Sequence, residues 1–463
     1  MSDPTPGILQ VPKSPGQKRP PGPRGHVLFG SASDIQRNPT QVYLALAHHY
    51  GDIVRIRFVL WPTYMVFHPD YVKHVLQDNH QNYNKDVYTY RALKPFVGDG
   101  LITNNGQPWL RQRRLIQPVF HRKHLATFGT LMSDATIAML KRWQRDVQQD
   151  QPLDIASEMM RLTLQIVGQV LFHVDLSDQA AQAGQAFTTL NKLLSDYIHA
   201  PFPPLSIPTP RNRRLHIARH TLDAVVDDII TEHRLQNADT GDLLSRLLLA
   251  RDEETGEGMS DKQVRDEVMT LLFAGHETTA NALSWTLYLL AQHPDIERRL
   301  RTELDQVLGG RQPTIEDLPN LLYTRMVLEE AMRLYPPAWS FGRKAIASDE
   351  IGGYFVPANS WVWLSPYVTH RHPAFWENPE VFEPERFTPE RVAVRPRYVY
   401  FPFGGGPRMC IGSHFAMMEA QLILAIVAQS YRFRMVPGHA VEPEALLSLR
   451  PRYGLPMTIQ AVN

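Results

Sequence analysis

The chain is short of cysteine, of long apolar runs and of excess charge, and each shortage removes a class of protein. Cys410 is the only cysteine in 463 residues. A lone thiol cannot close an internal disulfide, so a secreted fold stapled by disulfides is excluded. No stretch approaches the roughly 18 consecutive apolar residues that a spanning helix needs. The run Leu422 to Val427 near the C-terminus is short and lies in a helical pattern. The N-terminus is polar and lacks the hydrophobic core of a signal peptide. Lys+Arg (48) and Asp+Glu (47) nearly cancel to a net +1, too little to draw the whole molecule to nucleic acid or an anionic membrane. The expectation is a cytoplasmic protein with no nucleic-acid partner and no membrane anchor. Apolar residues make up 43%, enough for a large core, and the length suits one large domain or two to three ordinary ones.

Residues 1–25 carry seven prolines and little to bury. They are expected to form a flexible or polyproline-like lead. The alternative is that Pro20-Pro21-Gly22-Pro23 fixes how the lead meets the domain. Residues 26–463 contain no linker, repeat or low-complexity break, so one domain is expected there. Helical patterns cover about 38–50, 107–127, 130–148, 155–173, 179–198, 211–235, 261–292, 294–308, 322–335 and 412–429. Strand-like runs are fewer, at 53–58, 63–67, 354–356 and 361–363. This balance predicts a mainly α fold with a small β lobe, not βαβ repeats.

The segment Phe403-Gly404-Gly405-Gly406-Pro407-Arg408-Met409-Cys410-Ile411-Gly412 is the most informative. Its glycines and proline forbid regular structure and let the backbone approach something large and flat. An apolar helical pattern continues through Phe415, Met418, Leu422 and Val427. Cys410 therefore sits just ahead of a helix N-terminus, where backbone N–H groups and the helix dipole favour a thiolate. The competing reading is an inert buried thiol, the usual fate of a free cysteine.

Phe403, Gly406, Arg408, Cys410 and Gly412 together resemble the haem-binding signature of the cytochrome P450 family. Four more segments are similar to that family, in the same order. Trp109 and Arg113 share a helix face at four-residue spacing, and the resemblance has both facing a haem propionate. Ala274-Gly275-His276-Glu277-Thr278-Thr279 resembles the oxygen-activation helix. There Ala274-Gly275 would open a groove, Thr278 would hydrogen-bond bound dioxygen and Glu277 would relay protons, with His276 structural. Glu330 and Arg333, side by side at i,i+3, would be joined by Arg386 in a buried network under the haem. Arg343, after Tyr335-Pro336-Pro337, resembles a propionate-binding arginine.

The resemblance runs from about residue 26 to the C-terminus. It implies a cytochrome P450 fold with haem b between a long central helix and the cysteine-loop helix, Cys410 being the iron ligand. The implied activity is insertion of one oxygen atom of O2 into a C–H bond of a lipophilic small molecule such as a fatty acid, terpenoid or steroid-like compound. Val97, Ile102, Ala274, Ala338 and Leu447 are the expected pocket wall, with Ile102 above the iron. The chain ends 53 residues after Cys410, so electrons are expected from a separate ferredoxin or flavodoxin with its reductase. From Gly100 to Ser133 there is no acid but Arg111, Arg113, Arg114, Arg122 and Lys123, a candidate docking patch for an acidic donor. A monomer is expected. The competing functions are an H2O2-using peroxygenase, which usually lacks the acid–alcohol pair, and a non-catalytic haem-thiolate sensor.

Overall fold

The structure is a computed structural model that describes residues 18–462, apart from 26–30, 59–60, 121, 148–150, 175, 177–179, 200–202, 237–242, 250 and 252–255. Its axis is the central helix Asp261–Gln292. Ser260 and Gln263 start it with a reciprocal capping box, which satisfies two otherwise unpaired N–H groups. Pro294 opens the next helix, Pro294–Leu308. Helices Ile155–Phe172, Leu322–Leu334 and Ser413–Ser430 pack around the central helix, and their apolar side chains share one large core. Trp285 stacks on Tyr335 at 4.1 Å and donates to Leu449 O at 3.0 Å. One side chain thus ties the central helix to the end of the helix Leu322–Leu334 and to the strand Leu449–Pro451, and its loss would cost about 3–5 kcal/mol.

The β lobe is a five-stranded sheet in the order Ile53–Phe58, Trp61–Val66, Trp361–Leu364, Phe341–Ala345, Tyr83–Asn84. Only the Trp61–Val66 and Trp361–Leu364 pair runs parallel. A three-stranded sheet pairs Leu153–Asp154 and Tyr431–Met435 with Pro456–Ala461. The lobe has its own small core around Val66, Val362, Leu364 and Phe401.

Two expectations change. The pattern over 107–127 is two helices, Gly106–Ile116 and Arg122–Val147, separated by a short turn at Gln117–Phe120. Pro118 lacks the N–H that a continuous helix needs. The expected gap near Gly129 is helical, and a side chain at Gly129 would strike Ile315. Residues 18–25 also belong to the folded body. Pro21 O accepts from Arg55 N at 2.8 Å, Lys18 O accepts from Phe355 N at 2.9 Å, and Gly22 lies against the Arg55 backbone. The Lys18–Gly22 segment is thus held against the sheet strands by backbone contacts. Residues 1–17 lie outside the described residues.

Candidate active site

Cys410 lies between the short turn Gly406–Arg408 and the helix Ser413–Ser430. Its N–H donates to Phe403 O at 2.9 Å, folding the loop back on itself. The residue is enclosed by protein yet keeps accessible surface, so it borders an interior space. Burial pushes the thiol up, against the pull of the Gly412 N–H and Arg113. The Gly412 N–H pulls toward the thiolate as expected, and a bound metal ion would complete the deprotonation. An added Cβ at Gly405 would lie 2.2 Å from the Tyr398 ring, and one at Gly406 (φ +64°) would lie 1.8 Å from Leu76 O. These two glycines let the loop press closely on neighbouring protein.

Around this loop stand four enclosed cations. Arg113 donates to Met409 O at 2.9 Å. Arg408 donates to Asn104 O at 3.1 Å and lies 4.0 Å from the centre of the Trp109 ring. Arg343 donates to Gly342 O at 2.9 Å and reaches Tyr90 at 3.5 Å. Lys85, which nothing in its local sequence singles out, donates to Ile102 O at 2.8 Å. Burial pushes its ammonium well below the usual range, and Arg343, Arg408 and Arg113 push it further. Burial, with Arg343 and Arg113 adding to it, pushes Arg408 down to about 10. Among the described residues none of the four is paired with a carboxylate. Cations bonded only to carbonyls and a phenol are a donor set for two carboxylates, and haem b presents two. The residues present fit that cofactor.

The central helix crosses the site. It is buried throughout Asp266–Leu272 and Thr279–Leu287, while Phe273, Ala274, Gly275 and Thr278 are only half-buried. Thr278 Oγ1 donates to Ala274 O at 2.7 Å within the continuous helix. Gly275 makes room for Val167, 3.1 Å from an added Cβ. Glu277 and Thr278 are not hydrogen-bonded to each other. Glu277 instead accepts from Asn191 and Ser448, and Asn281 donates to Ser448 at 3.0 Å. Burial pushes the Glu277 carboxyl up. His276 is buried, with Nδ1 on Leu272 O at 2.6 Å and its ring 4.3 Å from Phe187; burial pushes it down to about 4, so it is neutral. Glu419, which the sequence reading also missed, is buried in the helix behind Cys410 and held well above the usual carboxylate range by burial.

The other expected residues occupy varied positions. Val97 is packed in the core, whereas Ile102 and Leu447 are half-buried and Ala338 is exposed between buried Pro337 and Trp339. Glu330 binds Arg333 through both carboxylate oxygens, at 2.6 and 2.8 Å. Arg386 Nε lies 3.3 Å from Glu330, close enough for an ion pair but not aligned for a hydrogen bond. The Arg333 guanidinium also donates to His370 O, Pro379 O and Val381 O. Three cations of the expected docking patch are described. Arg111 donates to Glu257 O and Gly258 O, Arg113 turns to Met409 O and Arg114 is exposed. The side chains of Arg122 and Lys123 lie outside the described residues.

Residues 20–455 match the sequence profile of the family described as Cytochrome P450. The chain is 39% identical to cyclooctatin synthase of Streptomyces melanosporofaciens over 92% of each chain. It is 34% identical to pentalenene oxygenase of Streptomyces avermitilis, over 91% of this chain and 93% of that one. Its fold matches the heme domain of cytochrome P450DA with a TM-score of 0.87 at 27% identity, covering 96% and 98% of the two chains. With a cysteine loop under a long helix and a ring of carboxylate-seeking cations, the chain belongs to the cytochrome P450 family. It is a haem monooxygenase, and haem b is its cofactor.

Proposed function

We propose that this enzyme hydroxylates a terpenoid-like lipophile, using electrons from a separate ferredoxin or flavodoxin and its reductase. The observation that carries the substrate class is kinship over nine-tenths of the chain with oxygenases named for cyclooctatin and pentalenene. The apolar character of Ile102, Ala274 and Leu447 agrees with it, since a lipophile is held mainly by apolar walls.

In this reading Cys410 would bind the haem iron, and Lys85, Trp109, Arg113, Arg343 and Arg408 would hold its propionates. Haem, when bound, supplies the oxygen activation and oxygen transfer that no side chain can perform. The protein's part is positioning, exclusion of water and proton supply. Thr278 gives its own proton to Ala274 O, which leaves the lone pairs of Oγ1 free to accept a hydrogen bond from a water at the site. Glu277, pushed up by burial, retains a proton to higher pH than an exposed carboxyl, carried on the oxygen that does not accept from Asn191 and Ser448. Leu110 and Met409, large apolar side chains exposed beside Arg114 and Cys410, suit a weak docking surface for the electron donor.

The test is reconstitution with a 2Fe–2S ferredoxin, its reductase and NADPH, under 18O2, on a panel of cyclic terpene hydrocarbons and alcohols. The expected result is one labelled oxygen per product and slower reduction at higher ionic strength. Equal turnover with H2O2 alone would make it a peroxygenase instead. Glu277→Gln keeps an oxygen for both Asn191 and Ser448, so it should fold normally while kcat falls about 100-fold. An unchanged kcat would remove Glu277 from proton supply.

A further inference from the structure

The loop from Gly98 to Asn104 joins two helices and carries Ile102. It is seated on the central helix. Gly98 (φ +75°) and Gly100 bear no side chain because an added Cβ would lie 2.2 Å from Asp266 Cγ and 2.1 Å from Thr270 Oγ1 respectively. Asp99 N donates to Asp266 Oδ2 at 2.9 Å, and Leu101 N donates to Glu267 Oε2 at 3.1 Å. From the other side, Lys85 donates to Ile102 O at 2.8 Å and Arg408 to Asn104 O at 3.1 Å. Two backbone groups bracketing Ile102 are therefore held by side chains from outside the loop, Leu101 N–H by Glu267 and Ile102 C=O by Lys85.

The two acids of the clamp differ. Asp266 has a cation, since Lys262 meets it at 2.5 Å at the surface. Among the described residues Glu267 has no exposed surface and no cation, and its Oε1 has no hydrogen-bond partner. Burying a carboxyl is costly, and an aliphatic side chain would fill the same space without that cost. The contact that distinguishes the acid from an aliphatic residue is its acceptor for Leu101 N–H. Burial pushes Glu267 up to about 8, so it is mostly neutral at pH 7, the form in which it can be buried without a counter-ion.

We propose that Glu267 is a positioning residue for substrate selectivity: by holding Leu101 N–H it fixes where the Ile102 side chain sits, and so sets the clearance offered to a bulky lipophile. This rests on the reading of Ile102 as part of the substrate wall. Glu267 does not touch the reacting atoms, and it acts through the loop.

The test uses the haem-loaded protein and two probes that ligate haem iron, monitored by the Soret shift. Imidazole is too small to need the wall, whereas 4-phenylimidazole must pack against it. Glu267→Leu, which fills the space but offers no acceptor, should weaken 4-phenylimidazole about tenfold, the loss of one buried hydrogen bond expressed as binding. Imidazole should stay within about twofold. Glu267→Gln, which keeps the acceptor, should restore the wild-type ratio. Ile102→Ala should shift the ratio similarly, and combining it with Glu267→Leu should add little, as coupled sites do. Amide hydrogen exchange over residues 98–104 should quicken in Glu267→Leu and not in Glu267→Gln. Equal weakening of both probes, an unchanged ratio, or failure of Gln to restore it would each overturn the proposal. If Ile102→Ala alone leaves the ratio unchanged, the reading of the wall falls and the proposal with it. If wild type gives no shift with imidazole, the haem reading itself has failed.

Discussion

Two groups of enclosed charge lie on either side of the cysteine loop, and they are built on opposite plans. Glu330, Arg333 and Arg386 form a closed set: the carboxylate faces both guanidiniums, and the donors of Arg333 that remain end on carbonyls. Lys85, Arg113, Arg343 and Arg408 are all of one sign; the three arginines push the proton affinity of Lys85 down, and Arg343 and Arg113 push down that of Arg408. The first group is complete within the chain. The second is complete only with an anionic ligand. Buried charge thus serves shape in one place and recognition in the other, and removing a charge should have different consequences in each.

The largest effect belongs to the closed group. Glu330→Ala strands the fully buried Arg333 guanidinium, while Arg386 keeps Glu383 at 3.1 Å, and should cost about 3–5 kcal/mol. The expected readout is little or no haem-loaded protein and no red-shifted reduced CO spectrum; normal haem loading would break the contrast at its stronger end. Lys85→Met is the sharper test because two states should respond with opposite signs. In haem-free protein it removes repulsion and burial cost, so the melting temperature should hold or rise. In haem-loaded protein it removes a hydrogen bond to a charged group, worth about 1.5–3 kcal/mol. Haem transfer to apomyoglobin should then quicken about tenfold or more. Destabilisation of both states alike would mean that Lys85 serves only the loop at Ile102.

The closed group is legible in the sequence and the open one only half so, for a physical reason. Glu330 and Arg333 are three residues apart on a helix, a local relation that spacing alone reveals. The Cys410 loop and the order of the motifs stand out because glycine, proline and a lone cysteine are rare enough to be noticed. Lys85 comes directly after the two-residue strand Tyr83–Asn84, far from Cys410 in sequence, and nothing local marks it. Strands of two or three residues such as Leu153–Asp154 are too short to show alternation. The long helices are evident from their periodicity, but the turn at Gln117–Phe120 is hidden, because a 3.6-residue pattern on both sides masks the single proline. Adjacency makes Glu277 and Thr278 look like a working pair. Consecutive helix residues point some 100° apart, and the two find different partners.

The smallest change of side chain tests a third plan, a buried acid with no cation among the described residues. Glu267 is pushed by burial from an ordinary value near 4.5 up to about 8, with Asp266 beside it adding to the shift and Leu101 N–H opposing it. The charges near it are Asp266 and Asp99, met by Lys262 and Lys94, so no cation among the described residues offsets an ionised Glu267. Between pH 4.5 and 8 the unfolded chain has lost this proton while the folded chain keeps it. The stability this group contributes is therefore full below about pH 4.5 and is lost as pH rises toward 8. Gln cannot ionise and keeps the acceptor for Leu101 N–H, so Glu267→Gln should gain on wild type as pH rises, by about 1.4 kcal/mol per pH unit at most. Melting curves of both proteins from about pH 5 to 8 measure this directly. The other buried acids, Glu277, Glu330 and Glu419, titrate in both proteins and cancel in the difference. A difference that does not change with pH would mean that Glu267 is ionised in the folded protein, and the clamp would then resemble the closed group, with a counter-ion to be found.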